Sequence, residues 1–445
     1  MSTSAAVRDT DSRPDRVPAS GAVERVTRPS GLSAQRVGYG EPVSRQRTIL
    51  VLAVASQAAF SMVTFGLPAI GLEIRDRFDL GPAGFGAVFA AVGMGSAVAL
   101  IPAGALVDRF GGRRVLVVGG AVNGIGLLLA AAASSAPTYA AALVLAGIGG
   151  AAVPVAGMTA LLRVFEPDKR GMAMGWRQLG VPLGGTLGAA VLPALAALGG
   201  VRLAMAGAGV AATATALAFA VVSDGRPAAS VRSPGHSVAG VLRIPGFKPL
   251  LAVGLLYVLG LGAILAHYVG ALRDAGLSHA EAAAGFAALN ITAALSRLVW
   301  GRLADGGGGT RRARTLRDIG ILTVCAACVM PVALSVGAPS ALIAGVVLAF
   351  GAFGMNGVLY LLAGELAGPS RAGRAVGVAS TVVFGMGSLA APIAGLAIER
   401  TGYDAVWVLS AVAAAAGAIT AWRWLEPAAV VAAESEVVQI VAPAR

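Results

Sequence analysis

One pattern limits what this chain can fold into more than any other. From Thr48 to Leu425, mostly apolar runs of about 20 residues follow one another, separated by short polar turns. That is the length of helix that crosses a bilayer. Twelve such runs lie near 48–71, 84–106, 114–134, 138–162, 172–197, 201–222, 248–271, 281–303, 317–336, 339–363, 373–398 and 404–425. In hydrocarbon every backbone amide and carbonyl needs a partner within the protein, so each run is expected to be helical. The composition agrees, with 57% of the 445 residues hydrophobic and only 13% charged. Soluble chains carry about a quarter charged residues, and a soluble fold could not cover itself with so few. Glycine, at 62 residues, suits helices that pack closely inside a membrane.

The turns are short: "SSAPTY" at 134–139, "GG" at 199–200, "GAPS" at 337–340 and "RTGYD" at 400–404. One linker is longer, at 223–247, and is rich in Pro, Ser, Gly and Arg. It divides the chain into a polar tail (1–47), a six-helix bundle (48–222), a second six-helix bundle (248–425) and a short terminal tail (426–445). The two bundles repeat. Gly104, Leu106 and Asp108 recur as Gly301, Leu303 and Asp305, an offset of 197. Ala136 and Pro137 recur as Ala338 and Pro339, and Gly171, Ala173 and Gly175 as Gly373, Ala375 and Gly377, both at an offset of 202. Parallel repeated halves joined by one linker are an architecture of secondary transporters.

The net charge of +12 does not mark a nucleic-acid surface. With the N-terminus placed inside, 28 of the 34 basic residues fall in inner segments and 5 in outer loops, with Arg297 inside a helix. Basic residues gather on the cytoplasmic side of membrane proteins, so both termini are expected in the cytoplasm of a cell whose plasma membrane holds the chain. The first 47 residues hold eight arginines and five acids with no apolar core; they read as a disordered tail without a signal peptide. Cys325 and Cys328 form a C-x-x-C inside the apolar run "ILTVCAACVM". With no second ligand pair and three histidines in the chain, neither a metal nor another cofactor is expected.

Between the second and third runs stands "GALVDRFGGRR", 104–114. It resembles the signature G-x-L-x-D-R-x-G-R-R of the major facilitator superfamily, with an extra glycine at Gly111 or Gly112. "GRLADGGGGTRR" at 301–312 looks like a degenerate second copy, lacking an arginine directly after Asp305. The resemblance extends over 48–425. It implies an all-α membrane fold of two pseudo-symmetric six-helix bundles, an alternating-access transporter and not an enzyme, with a small-molecule substrate and a monomeric state. It also implies a gate. Asp108, with Arg109, Arg113 and Arg114 beside it and Gly104 below, would face the turn from Gly373 to Gly377. Asp305 would face Gly171 to Gly175. A carboxylate at a helix N-terminus is favoured by the exposed amides and the dipole there. The same charges also serve topology.

Ionisable residues within a bilayer are costly and point to function. No acid falls mid-helix: Glu73, Asp76, Asp274, Glu281 and Glu399 sit at outer ends and Glu365 at the inner end of the tenth run. Two arginines do penetrate, Arg177 in the fifth run and Arg297 in the eighth, each displaced roughly 8–9 Å from its helix end at 1.5 Å per residue. In the family resembled here those two helices face each other, so an anion between the two cations is expected. Snorkelling of Arg177 to the interface, or pairing of Arg297 with Asp305 or a helix C-terminus, are the alternatives. The segment "RQLGVPLGGTLG" after Arg177 resembles cyanate-type and nitrate-type branches; Gly180, Gly184 and Gly188 form a close-packing ridge. Asn290 shares a face with Arg297. Gln57, Ser61 and Thr64 form a stripe on the first helix, and Asn356 and Tyr360 a pair on the tenth; each is a substrate contact or an interhelical hydrogen bond. His267 and Tyr268 near the outer end of the seventh helix read as an interfacial pair. These features favour a small organic or inorganic anion as substrate. Multidrug efflux by proton antiport is the alternative, with Glu365 as its carboxylate and a proton as coupling ion.

Overall fold

The structure is a computed structural model in which residues 43–165, 173, 176–223, 238–305, 308–368 and 371–430 are described. The 1–42 tail, most of the linker and the 431–445 tail fall outside these residues. Among the described residues, eleven helices are long and apolar enough to span a bilayer. They are Val43–Phe78, Pro82–Val107, Gly112–Ala132, Ala136–Leu161, Trp176–Val222, Phe247–Asp274, His279–Ala304, Gly308–Val336, Ala338–Ala367, Ala375–Thr401 and Asp404–Val430. The 47 residues of Trp176–Val222 are twice the length one crossing needs. They break at Gly199 (φ −155°) and Gly200 (φ +65°), the second a left-handed conformation that glycine adopts without a Cβ penalty. The described residues therefore form twelve membrane-length segments, numbered below as spans 1 to 12 in chain order.

Spans 4 and 10 are each interrupted once. Span 4 breaks at Ala151, between Ala136–Gly150 and Ala152–Val164. Span 10 breaks at Phe353–Gly354, between Ala338–Ala352 and Met355–Ala367. Position 151 plus the repeat offset of 202 is 353, so the break belongs to the repeat and not to one local sequence. In span 10 its cause is visible. The Trp300 indole donates to the Phe350 carbonyl at 2.8 Å, and a Cβ on Gly354 would stand 2.2 Å from the same ring.

Within the N-terminal half, span 1 packs on span 5, and span 3 packs on spans 4 and 6. The glycine ridge of span 5 makes the first contact close. A Cβ on Gly184 would lie 2.3 Å from the Ala58 carbonyl oxygen, and one on Gly188 2.6 Å from the Cα of Gly66. The C-terminal half repeats the arrangement with span 7 on spans 11 and 12, and span 9 on spans 10 and 12. The halves meet along two seams, span 2 on span 11 and span 5 on span 8. The end that carries the Gly104–Arg114 turn is called the basic end below, and the other the opposite end.

Candidate functional site

Arg177 lies in span 5 and is only 6% exposed. Its Nη2 donates to the Gln57 side-chain oxygen at 3.0 Å and to the Pro154 carbonyl at 2.9 Å. Its Nη1 donates to the Gln178 side-chain oxygen at 3.2 Å. Gln57 passes the chain on, donating to Ser61 at 3.1 Å. The stripe expected on span 1 is thus a buried relay, Arg177 to Gln57 to Ser61, laid against the Gly180 and Gly184 ridge. Thr64 does not join it; its hydroxyl donates to the Phe60 carbonyl of its own helix at 3.1 Å. Among the described residues, Arg177's partners are all neutral and belong to spans 1, 4 and 5.

Arg297 in span 8 has the opposite surroundings. It is half-buried, its Nε is shielded without a hydrogen-bond partner, and among the described residues its guanidinium makes no hydrogen bond or ion pair. It lies within Coulombic range of the Tyr360 phenol of span 10, and the side chain of Ser380 on span 11 adjoins that phenol. Asn356, one turn before Tyr360, is half-buried. Asp305 caps the end of span 8 in extended backbone and is exposed, without an ion pair to Arg297. Asn290 is buried, donates to the Phe286 carbonyl at 3.0 Å and presses on Gly185, whose Cβ would stand 2.0 Å from its Oδ1. It marks the crossing of spans 5 and 8. Ser380 was not singled out by the sequence pattern; one serine in "AVGVASTVVFG" carries no signal until the helix places it beside Tyr360.

The seam between spans 2 and 11 is packed unequally along its length. One helical face of span 11 carries Gly395, Ala391, Ser388, Phe384, Thr381 and Gly377, spaced by fours and threes. Its upper half is packed on span 2. A Cβ on Gly395 would meet the Cα of Ala83 at 2.5 Å, one on Gly86 the Ala391 oxygen at 2.5 Å, and one on Gly93 the Ser388 hydroxyl at 2.4 Å. The lower half is bare: Phe384 is 49% exposed, and Thr381 and Gly377 are exposed. Span 2 matches, with Ile101 71% exposed and nothing within 4 Å of a Cβ on Gly104. The two helices touch at the opposite end and diverge toward the basic end.

Polar bonds across the halves reinforce the closed end. The Ala83 amide, in the first turn of span 2, donates to the Glu399 carboxylate at 3.0 Å. Arg75 at the end of span 1 donates to the Tyr403 hydroxyl at 2.7 Å and to the Leu80 carbonyl at 3.1 Å. Burial holds the Tyr403 phenol above its ordinary pKa, against the pull of Arg75, so it stays neutral. Beneath them His267 bonds the Ala391 carbonyl through Nε2 at 2.9 Å, edge-on to Phe85. His267 therefore packs at the seam between the halves, and Tyr268 stands edge-on to Trp407.

At the basic end the helix Pro82–Phe110 and the helix Gly112–Ala132 are joined by Gly111 alone, at φ +82°. That left-handed residue accounts for the extra glycine in the turn. Arg109 lies over the Phe110 ring at 5.1 Å, and Arg113 and Arg114 are exposed. The side chains of Asp108 and Gly373, and residues Gly171 and Gly175, lie outside the described residues. Glu365 is ion-paired with Arg312 of span 9, and Glu426 with Arg317 at 2.9 Å. Cys325 and Cys328 are exposed thiols, and no group of three or more metal-ligating side chains occurs among the described residues.

Known proteins resemble this architecture closely. Residues 49–392 match the Major Facilitator Superfamily. Two uncharacterized MFS-type transporters, from two strains of Mycobacterium tuberculosis, are 27% identical over 330 residues, 72% of this chain and 72% of theirs. Among solved structures, a bacterial homolog of the human lysosomal transporter Spinster, inward-facing and unoccupied, aligns over 91% of this chain and 100% of its own, with a TM-score of 0.68 at 16% identity. A D-xylose–proton symporter aligns over 85% of this chain and 98% of its own, with a TM-score of 0.67 at 13% identity. At such identities the likeness is one of fold. Twelve apolar crossings in two repeated halves, seamed along spans 2 and 11, agree with the match across most of the chain's length: this protein is a multi-pass membrane transporter of the Major Facilitator Superfamily.

Proposed function

We propose that this transporter moves a small anion across the plasma membrane, organic or inorganic, as a monomer. The basic end and both termini face the cytoplasm. The observation that carries the substrate class is Arg297: a guanidinium inside a span that makes no hydrogen bond or ion pair among the described residues, in a sequence with no acid in the middle of a span. A cation within a span left uncompensated is costly, and a bound anion relieves that cost. Tyr360 lies within Coulombic range of it, and Asn356, one turn before Tyr360 on span 10, would offer an amide donor. Arg177, Gln57, Ser61 and Asn290 stand behind this group as the framework of spans 1, 5 and 8. With the contact between spans 2 and 11 made only at the opposite end, the molecule stands open to the cytoplasm. Rocking the halves about the site would open the other side, with Asp108 and Asp305 then closing the basic end against the starts of spans 11 and 5.

Transport by the purified chain in proteoliposomes tests this reading. Uptake of labelled small anions should occur in wild type and fall at least about tenfold, roughly 1.4 kcal/mol, in Arg297→Gln. If organic cations are moved instead, with Arg297→Gln as active as wild type, the substrate class is wrong.

A further inference from the structure

We infer that the site takes a singly charged anion with Arg297 as its one cationic ligand, and that Arg177 is a positioning residue of the N-terminal half and not a second ligand. The inference rests on the anion reading above and narrows it. The two arginines look equivalent in sequence, yet their donors are committed differently. Three donor bonds of Arg177 go to neutral oxygens, those of Gln57, Pro154 and Gln178. Its Nε is closed off by span 4, where a Cβ on Gly157 would stand 2.9 Å away. A guanidinium held this way is solvated by protein dipoles, and it would have to give up these bonds to receive an anion. Arg297 has none to give up. It is half-buried, within Coulombic range of the Tyr360 phenol.

Charge counting then selects the cargo. Alternating access passes through a state in which the site is shut from both sides. Any charge left unpaired there is desolvated without compensation. One free guanidinium balances one negative charge, and a dianion leaves one over. The guanidinium fork also prefers a planar edge of two oxygens, as in a carboxylate or a nitrate-like oxyanion.

The test is thermal unfolding of the full chain in detergent, with sodium nitrate and sodium acetate compared with sodium sulfate and sodium succinate at matched ionic strength. Nitrate or acetate should raise Tm, at concentrations at least about tenfold below those at which sulfate or succinate act. Arg297→Gln should abolish that rise. Arg177→Gln should lower the Tm of the unliganded protein yet keep the rise, its half-saturation changed by no more than about threefold. Should Arg177→Gln not fold, Arg177→Lys takes its place with the same expectation. A stronger response to sulfate or succinate overturns the inference. So does loss of the response in a folded Arg177 variant. If no anion shifts Tm and organic cations do, the anion reading itself fails, a result distinct from either of these.

Discussion

The two ends of the seam between spans 2 and 11 are made of the same helices and behave as opposites. At the closed end, small residues let backbones touch: Gly86, Gly93 and Gly395 each sit where a Cβ would overlap the other half. At the basic end Gly104, Gly377 and Gly385 have nothing within 4 Å of a Cβ position. Glycine at both ends is what a rocking seam requires, because each end must form the tight contact in turn. The polar groups differ as well. Glu399 already sits at the first turn of span 2, while at the end that carries the Gly104–Arg114 turn spans 2 and 11 stand apart. The closed end therefore shows, in bonded form, the carboxylate-to-helix-start contact that the signature turn promises at the other.

The largest expected effect comes from making the closed end unable to close. Gly86→Val or Gly395→Val places a branched side chain against backbone of the other half, where no flexible neighbour can yield. Overpacking of this kind costs about 1–3 kcal/mol, enough to shift a two-state balance by roughly tenfold to a hundredfold. The readout is alkylation of a Leu72→Cys reporter beside the small cavity under Arg75 and Tyr403, with the exposed Cys325 and Cys328 first replaced by serine. Labelling should rise steeply in both variants. Gly377→Val, on the same face at the open end, should leave the reporter as slow as in the parent or slower. Equal labelling in all three would mean that this seam does not gate.

A smaller effect is expected from Tyr403→Phe. It removes the acceptor of a charged donor across the halves, and Arg75 keeps only the Leu80 carbonyl. Bonds to charged groups are worth about 1.5–3 kcal/mol when buried, and this half-exposed one about 1 kcal/mol. Reporter labelling should rise by about fivefold. Unchanged labelling would assign closure to the glycine packing alone.

How much of this was legible in the sequence follows from what kind of contact is involved. The twelve crossings, the break at Gly199–Gly200 and the repeat are written in apolar run length and glycine position, which are local. The interruptions at Ala151 and Phe353 were not legible, because the cause in span 10 is an indole from span 8. The stripe of Gln57 and Ser61 was visible as a stripe, but its commitment to Arg177 depends on how spans 1 and 5 rotate against each other. Glu399 read only as an acid at an outer helix end. Its role appears when span 11 carries it to the amide of Ala83, 316 residues away in the chain. Ser380 shows the same limit at the site, since a single hydroxyl in an apolar run means nothing until its neighbours are known.

The smallest effects should also be the most diagnostic, because they carry opposite signs. Glu399 offers a carboxylate to a helix start in the state seen here, and the role proposed for Asp108 is the same contact in the reverse state. A charge at a helix N-terminus is worth about 0.3–1 kcal/mol at an exposed position and weakens with salt. Glu399→Gln should raise labelling of the Leu72→Cys reporter by about two- to threefold in low salt, with the difference fading at high salt. Asp108→Asn should lower the same labelling by a similar factor, since it weakens only the state in which the basic end is shut. The double variant should return close to the parent, because sites at opposite ends of the molecule act additively. If Asp108→Asn raises labelling as Glu399→Gln does, the signature carboxylate stabilises the present state, and the two ends are not counterparts.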